Sequence, residues 1–336
     1  MRLFLASALT LLLVCATASA QSPGETRIAK WKDDRTAVFL LMFDDSWPSH
    51  WQVAAPELVK RGLTATFYIC PAKGEYKHSI EKWEKELWKK GMVYGVHTMT
   101  HGGIKDAAHG EYEIGENASY IRTIVPHTKD KLVSYARPGT KPGTWNITNE
   151  EEAALLKKHQ LIDRPPFKDH GAVYHLKTTE EMIALADKAI AAKDMEYLVV
   201  HGVERVGPVV KYQDFWPLAQ AVFFPLLDGL KERSDKGALW VTDHISYHQY
   251  LTERESAEVK IVEATDKSIR LQLTSKADPK LYDQPLTLLT HVPTTWKKCR
   301  ITQGTQKTTV SVSNGTARYD ALPGGSDIVL QEDSTP

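Results

Sequence analysis

Cysteine is scarce in this sequence: 336 residues contain only Cys15, Cys70 and Cys299. Cys15 lies in an apolar leader, and the two that remain are too few for a disulfide framework. Cys70 ends an apolar run and reads as a buried thiol. Net charge is also lacking, with 42 basic and 42 acidic residues. No basic run marks a nucleic-acid footprint, so DNA and RNA are excluded as expected partners. Beyond the N-terminus no apolar run approaches the about 20 residues that cross a bilayer, and no stable membrane insertion is expected. Internal repeats and low-complexity stretches are absent as well.

What is present begins with that leader. Residues 1–20 pair Arg2 with a leucine-rich run and close on Ala18-Ser19-Ala20, the small-x-small pattern that signal peptidase accepts. A cleaved signal peptide is expected, with a mature chain from about Gln21 and a secreted or periplasmic location. The leader's apolar core is too short for an anchor, and Val14 before Cys15 does not suit a lipoprotein. The remainder is too long for one small core. Two domains are expected, over 21–254 and 255–336.

From Thr36 to Asp243 short apolar runs alternate with helical patterns, the order that builds parallel strands with helices packed outside them. The runs are TAVFLLMF from Thr36, TATFYIC from Thr64, MVYGVH from Met92, KLVSYA from Lys131, EYLVVH from Glu196 and ALWVTD from Ala238, with a weaker candidate at Leu161. Each is nearly continuous, as in strands buried on both faces. Six strong strands suit an open sheet or an incomplete barrel. A helical pattern stops at Gly91, and Thr178 with Glu181 reads as a capping box. After about Arg254 short strands follow one another without helical stripes, which predicts a small β-sandwich free of any Asp, Glu and His cluster.

Three apolar runs end in residues that carry chemistry. The first ends in Phe43-Asp44-Asp45; two adjacent carboxylates after a buried run are expensive unless a cation satisfies them, although one of them could cap a helix. The third ends in His97, with His101 four residues on, a spacing that turns two rings to one side for a divalent metal. Pairs such as His244 and His248 share that spacing but read as an ordinary surface helix. The fifth run ends in His201, an address at which a lone histidine is usually structural. Because all three addresses lie at the carboxyl ends of strands in one sheet, where functional loops gather, a common site is expected. His, His and carboxylate form a catalytic metal triad with open positions for water.

These residues, in this order, resemble the polysaccharide deacetylase (NodB homology) family, carbohydrate esterase family 4. An apolar strand followed by Phe43, Asp44 and Asp45 matches its first motif. His97, Thr98 and His101 match its second, and Leu198-Val199-Val200-His201 its last. The resemblance spans about Thr36 to Asp243 and implies a distorted, incomplete (β/α) barrel, here followed by the all-β sandwich-like domain. It implies that Asp45, His97 and His101 bind one divalent ion, Zn²⁺ or a similar metal. Asp44 would be the general base and His201 the general acid, acting on an acetylated poly- or oligosaccharide. SYARPGTKPG is similar to the family's Arg-Pro motif, so Arg137 would orient Asp44. The sequence departs from the pattern at Ser46 and Gly102, where the family usually has Gly and Pro, and its fourth-motif Asp is Asp163 or Asp169 with no Trp nearby. Trp47, Trp51 and Trp145 lie near the site loops as candidate sugar platforms, whereas Trp83 and Trp88 read as packing residues. The competing readings are a catalytically inactive glycan-binding or wall-associated module, a hydrolase of a non-sugar amide on the same scaffold, and an iron oxygenase. The usual motif order argues against the last.

Overall fold

The computed structural model of the protein describes residues 22–166, 175–207 and 211–334. The leader lies outside the described residues, as does Asp169. In chain order the strands are β1 Thr26–Ile28, β2 Ala37–Asp44, β3 Thr66–Ile69, β4 Val93–Val96, β5 Val133–Tyr135, β6 Leu161–Asp163, β7 Met195–Val200, β8 Gly202–Val203, β9 Pro217–Leu218 and β10 Leu239–Thr242. An all-β region follows, with β11 Glu258–Ala264, β12 Ser268–Thr274, β13 Leu286–His291, β14 Lys298–Gln303, β15 Gln306–Ser313, β16 Thr316–Ala321 and β17 Ile328–Glu332.

Strands β2 to β7 and β10 form a seven-stranded parallel half-barrel, in which β2 pairs with β10, β3 and β7. All eight residues of β2 are buried, the outcome its unbroken apolar run predicts. Alternation sorts them between two cores. Phe39, Leu41 and Phe43 join the large cluster beneath the helices, while Val38, Leu40 and Met42 join an inner cluster with Tyr68, Tyr197 and Val199. Helix ends fall where their punctuation stands. Gly91 closes its segment at φ +85°, and Thr178 and Glu181 exchange the two bonds of a capping box ahead of Thr179–Ala192. Trp83 is wholly buried, as its packing role requires. Among the described residues no helix is long and apolar enough to cross a membrane.

The C-terminal strands make one antiparallel sheet of eight, ordered β1-β13-β16-β15-β14-β17-β12-β11. β15 joins its halves, pairing first with β14 and then, at Val312 and Ser313, with β16. Two of these strands escaped the sequence reading. Lys298–Gln303 carries Lys298, Arg300 and Thr302 on its outer face and lacks a conspicuous apolar run. The short Thr26–Ile28 pairs with β13 from far along the chain, which no local pattern announces. The helix His244–Ser256 lies between the two sheets. Its Tyr250 hydroxyl donates to the Ala29 carbonyl at 2.9 Å, and the inner cluster runs on through Tyr250 to Leu286 of β13. This corrects the reading of His244 as a surface residue. The first turn packs against β3 and β5, so His244 is buried and its Nδ1 lies 2.7 Å from Ser134 Oγ.

Candidate functional site

Asp44 ends β2 on the inward row begun by Val38, Leu40 and Met42. The chain then turns through two left-handed residues, Asp45 at φ +82° and Ser46 at φ +62°. Such a turn favours glycine. Here Ser46 is tied down instead, its hydroxyl accepting from the Cys70 amide at 2.9 Å. β4 delivers His97 from the next strand but one, and the loop beyond it uses two more left-handed residues, Thr98 at φ +62° and His101 at φ +61°. Strained backbone of this kind persists only where its surroundings hold it.

The restraints on that loop are visible. His101 N–H donates to Thr98 Oγ1 at 3.0 Å, and Asn117 Nδ2 donates to the carbonyls of Ile69 and Thr98 at 2.8 and 2.7 Å. Glu113, wholly buried, accepts from the Thr100 amide at 2.9 Å and from its hydroxyl at 2.6 Å. Sequence reasoning missed Glu113 and Asn117. Their signal was a carboxylate and an amide four residues apart on the buried side of a helical segment, where apolar residues are expected.

Three ligand atoms converge as a result. His97 Nε2 lies 3.4 Å and His101 Nε2 3.0 Å from Asp45 Oδ1, and one donor atom from each residue lies within 4.8 Å of the others. His97 Nδ1 is 2.8 Å from the Ala136 carbonyl. A carbonyl only accepts, so Nδ1 carries the proton and Nε2 turns its lone pair toward Asp45. Asp45 Oδ1 is buried without a well-formed hydrogen bond of its own. Two imidazoles, one with its tautomer set, and an orphaned carboxylate oxygen fit a divalent metal of the Zn²⁺ class. Burial alone would raise the Asp45 carboxyl, but His101 holds it well below the usual carboxylate range.

Asp44 is 3.8 Å from His97 Nε2, and Arg164 Nη1 donates to both its oxygens at 2.8 and 3.0 Å. Burial works against the charge, yet Arg164, His97 and His201 together depress the Asp44 pKa. The Arg164 guanidinium lies over the Tyr68 ring, 5.1 Å from its centroid, and the Tyr68 hydroxyl continues to Ser134 Oγ at 2.8 Å.

The expected partner of Asp44 is therefore corrected, from Arg137 to Arg164. Parity explains the difference. Arg137 shares its side of the sheet with Tyr135, which faces outward and bonds Glu152, and Arg137 Nη1 reaches the same Glu152 at 3.4 Å while its guanidinium covers Trp145 at 4.4 Å. Arg164 follows Ile162 on the inward row. Asp163 has the outward parity and is exposed; it is not part of this cluster.

His201 leaves β7 on the inward row of Tyr197 and Val199. Burial lowers its pKa against the pull of Asp44 and Asp45, and its carbonyl pairs with His50 Nε2. Phe215 and Trp216 flank its ring, with centroids at 5.5 and 6.4 Å. The five residues Asp44, Asp45, His97, His101 and His201 thus share one end of the half-barrel.

Residues 32–155 match the sequence pattern of the family described as polysaccharide deacetylase. The matched stretch contains Asp44, Asp45, His97 and His101 and stops short of Arg164 and His201. Among solved structures it is similar to a family 4 carbohydrate esterase from Streptomyces lividans in complex with acetate, 18% identical over 60% of this chain and 90% of that one, with a TM-score of 0.42. Another similar structure is a peptidoglycan deacetylase from Bacillus subtilis, 13% identical over 62% of this chain and 87% of that one, with a TM-score of 0.39. A gellan lyase from Bacillus sp is 21% identical over 84% of this chain, which spans 12% of that relative's length.

Proposed function

We propose that this chain is a secreted, metal-dependent hydrolase that removes N- or O-acetyl groups from a carbohydrate. The observation that supports it most is the pairing of the Asp45, His97 and His101 triad with Asp44, a separate carboxylate 3.8 Å from His97 and clamped by Arg164.

Asp45, His97 and His101 would hold the divalent ion, Zn²⁺ in this reading, which supplies Lewis-acid polarisation of a carbonyl and acidifies water to a pKa of about 7. Asp44 is spared from metal binding by Arg164 and takes the proton of the attacking water. Arg164 keeps that carboxylate ionised and fixes its plane. As the tetrahedral adduct collapses, the C–N or C–O bond breaks and His201, in its protonated form, gives a proton to the departing amine or hydroxyl. The products are acetate and the free sugar amine or hydroxyl. The loop set by Glu113 and Asn117 keeps His101 in reach of Asp45.

The test is acetate release from a panel of acetylated glycans by the purified mature protein, before and after chelation and with Zn²⁺ restored. Release that is lost on chelation and regained with metal is expected. A metal-loaded protein that binds glycan and frees no acetate from any of them would sink the hydrolase reading.

A further inference from the structure

Beside His201 lies an aromatic run that the hydrolytic chemistry does not use. Phe215 and Trp216 stack at 4.5 Å and 21°, and Trp47 lies nearly parallel to Phe215 at 6.4 Å and 24°. Phe215 is 44% and Trp216 51% exposed. A bulky side chain half in water on a backbone at φ +40° is costly on both counts.

The segment is nonetheless held firmly. Asp214 is buried and accepts from the Ser49 amide at 3.0 Å and from Arg205 Nε at 2.6 Å. β9, directly after Trp216, pairs with β8, directly after His201. Gly202 lets the two strands approach, since a Cβ there would stand 2.7 Å from Asp214 Cβ. The rings are thus built onto the exit of the strand that carries His201, outside the stretch that matches the family. This resting place for a flat apolar surface is 5.5 to 6.4 Å from the His201 ring.

We infer that Phe215 and Trp216 form a stacking ledge for a pyranose ring of the substrate, on the leaving-group side of His201. The inference rests on the hydrolase reading above and names the residues that position its substrate. A group that receives a proton from His201 has its sugar ring within reach of these aromatics. A pyranose presents a face of C–H bonds that an aromatic plane desolvates.

The experiment is equilibrium binding by calorimetry, in the Asp44→Asn background so that the ligand survives. The probe is a tetrasaccharide of N-acetylglucosamine. It is expected to bind, Trp216→Ala to weaken binding about tenfold or more, and Trp216→Phe to recover most of the loss. Unchanged affinity in Trp216→Ala, or no binding of the probe, overturns the ledge. Circular dichroism verifies that each variant is folded, and Trp216→Phe carries the test if Trp216→Ala is not. Trp216-dependent binding with no acetate release by the wild-type protein would overturn the hydrolase reading and leave the ledge; acetate release with affinity indifferent to Trp216 would do the reverse.

Discussion

Arg164 and Arg137 differ in what their loss would leave behind. Replacing Arg164 by Met strands a buried carboxylate, a change that costs about 3–5 kcal/mol when one partner of a buried pair is removed, while Arg137→Met deletes a half-exposed ion pair worth about 1 kcal/mol or less. Urea denaturation followed with acetate assays should show a lower midpoint and lost turnover for Arg164→Met and near-native values for Arg137→Met; equivalence of the two would contradict the assignment. Asp44→Asn is expected to keep the metal, measured by elemental analysis, and to slow acetate release by about 10²–10⁴, whereas His97→Ala loses both. Glu253 offers a pH-dependent case. Burial lifts its pKa to about 7, against about 4.3 in an unfolded chain. Between these values the folded state holds the extra proton, so its contribution to stability falls as pH rises from about 4.5 to 7. Glu253→Gln should raise Tm at pH 8 and leave it little changed at pH 4; a gain confined to low pH would refute that sign.

At the scale of elements, what was legible followed from burial on both faces. Strands β2, β3, β4, β5, β7 and β10 announce themselves as apolar runs because no water-facing side interrupts them, and the residues at the ends of three of them could be read as one site. The same period of two held information that motif matching overlooked: Tyr135 and Arg137 share one face of β5, and Ile162 and Arg164 share the inward face past β6. The loop from His97 to His101 was opaque for a different reason. Its shape is imposed by Glu113 and Asn117, which act through space from a neighbouring helical segment. Removing that restraint should loosen the triad without touching a ligand. Glu113→Ala is expected to weaken metal affinity about 10–100-fold, measured by chelator competition, and Glu113→Gln, which still accepts from Thr100, to lose less. Native affinity in Glu113→Ala would show that the left-handed loop needs no such support.

For the molecule as a whole, the all-β sheet covers apolar surface of the half-barrel. Trp31, Tyr250 and Leu286 share a cluster with Val38, Leu40 and Met42, and Lys131 of the barrel reaches Asp283 at 2.7 Å. A chain ended at Ser256 should therefore expose this patch and self-associate, seen as a shifted elution volume in size-exclusion chromatography; a monomeric, fully stable fragment would mean the sheet is a mere appendage.

Connectivity adds a consequence for synthesis. Thr26 meets Thr290 at 2.9 Å across 264 residues of sequence, so in topological terms the half-barrel is an insertion in the all-β unit. Its parallel strands can begin to pair while the ribosome is still adding the region after Ser256, but β1 has no partner until β13 has been made. The edge it finally covers is among the last to close. A ribosome stalled before β13 would hold a nascent barrel whose first strand is idle, and completion of the sheet would then read as a late, separate phase of folding.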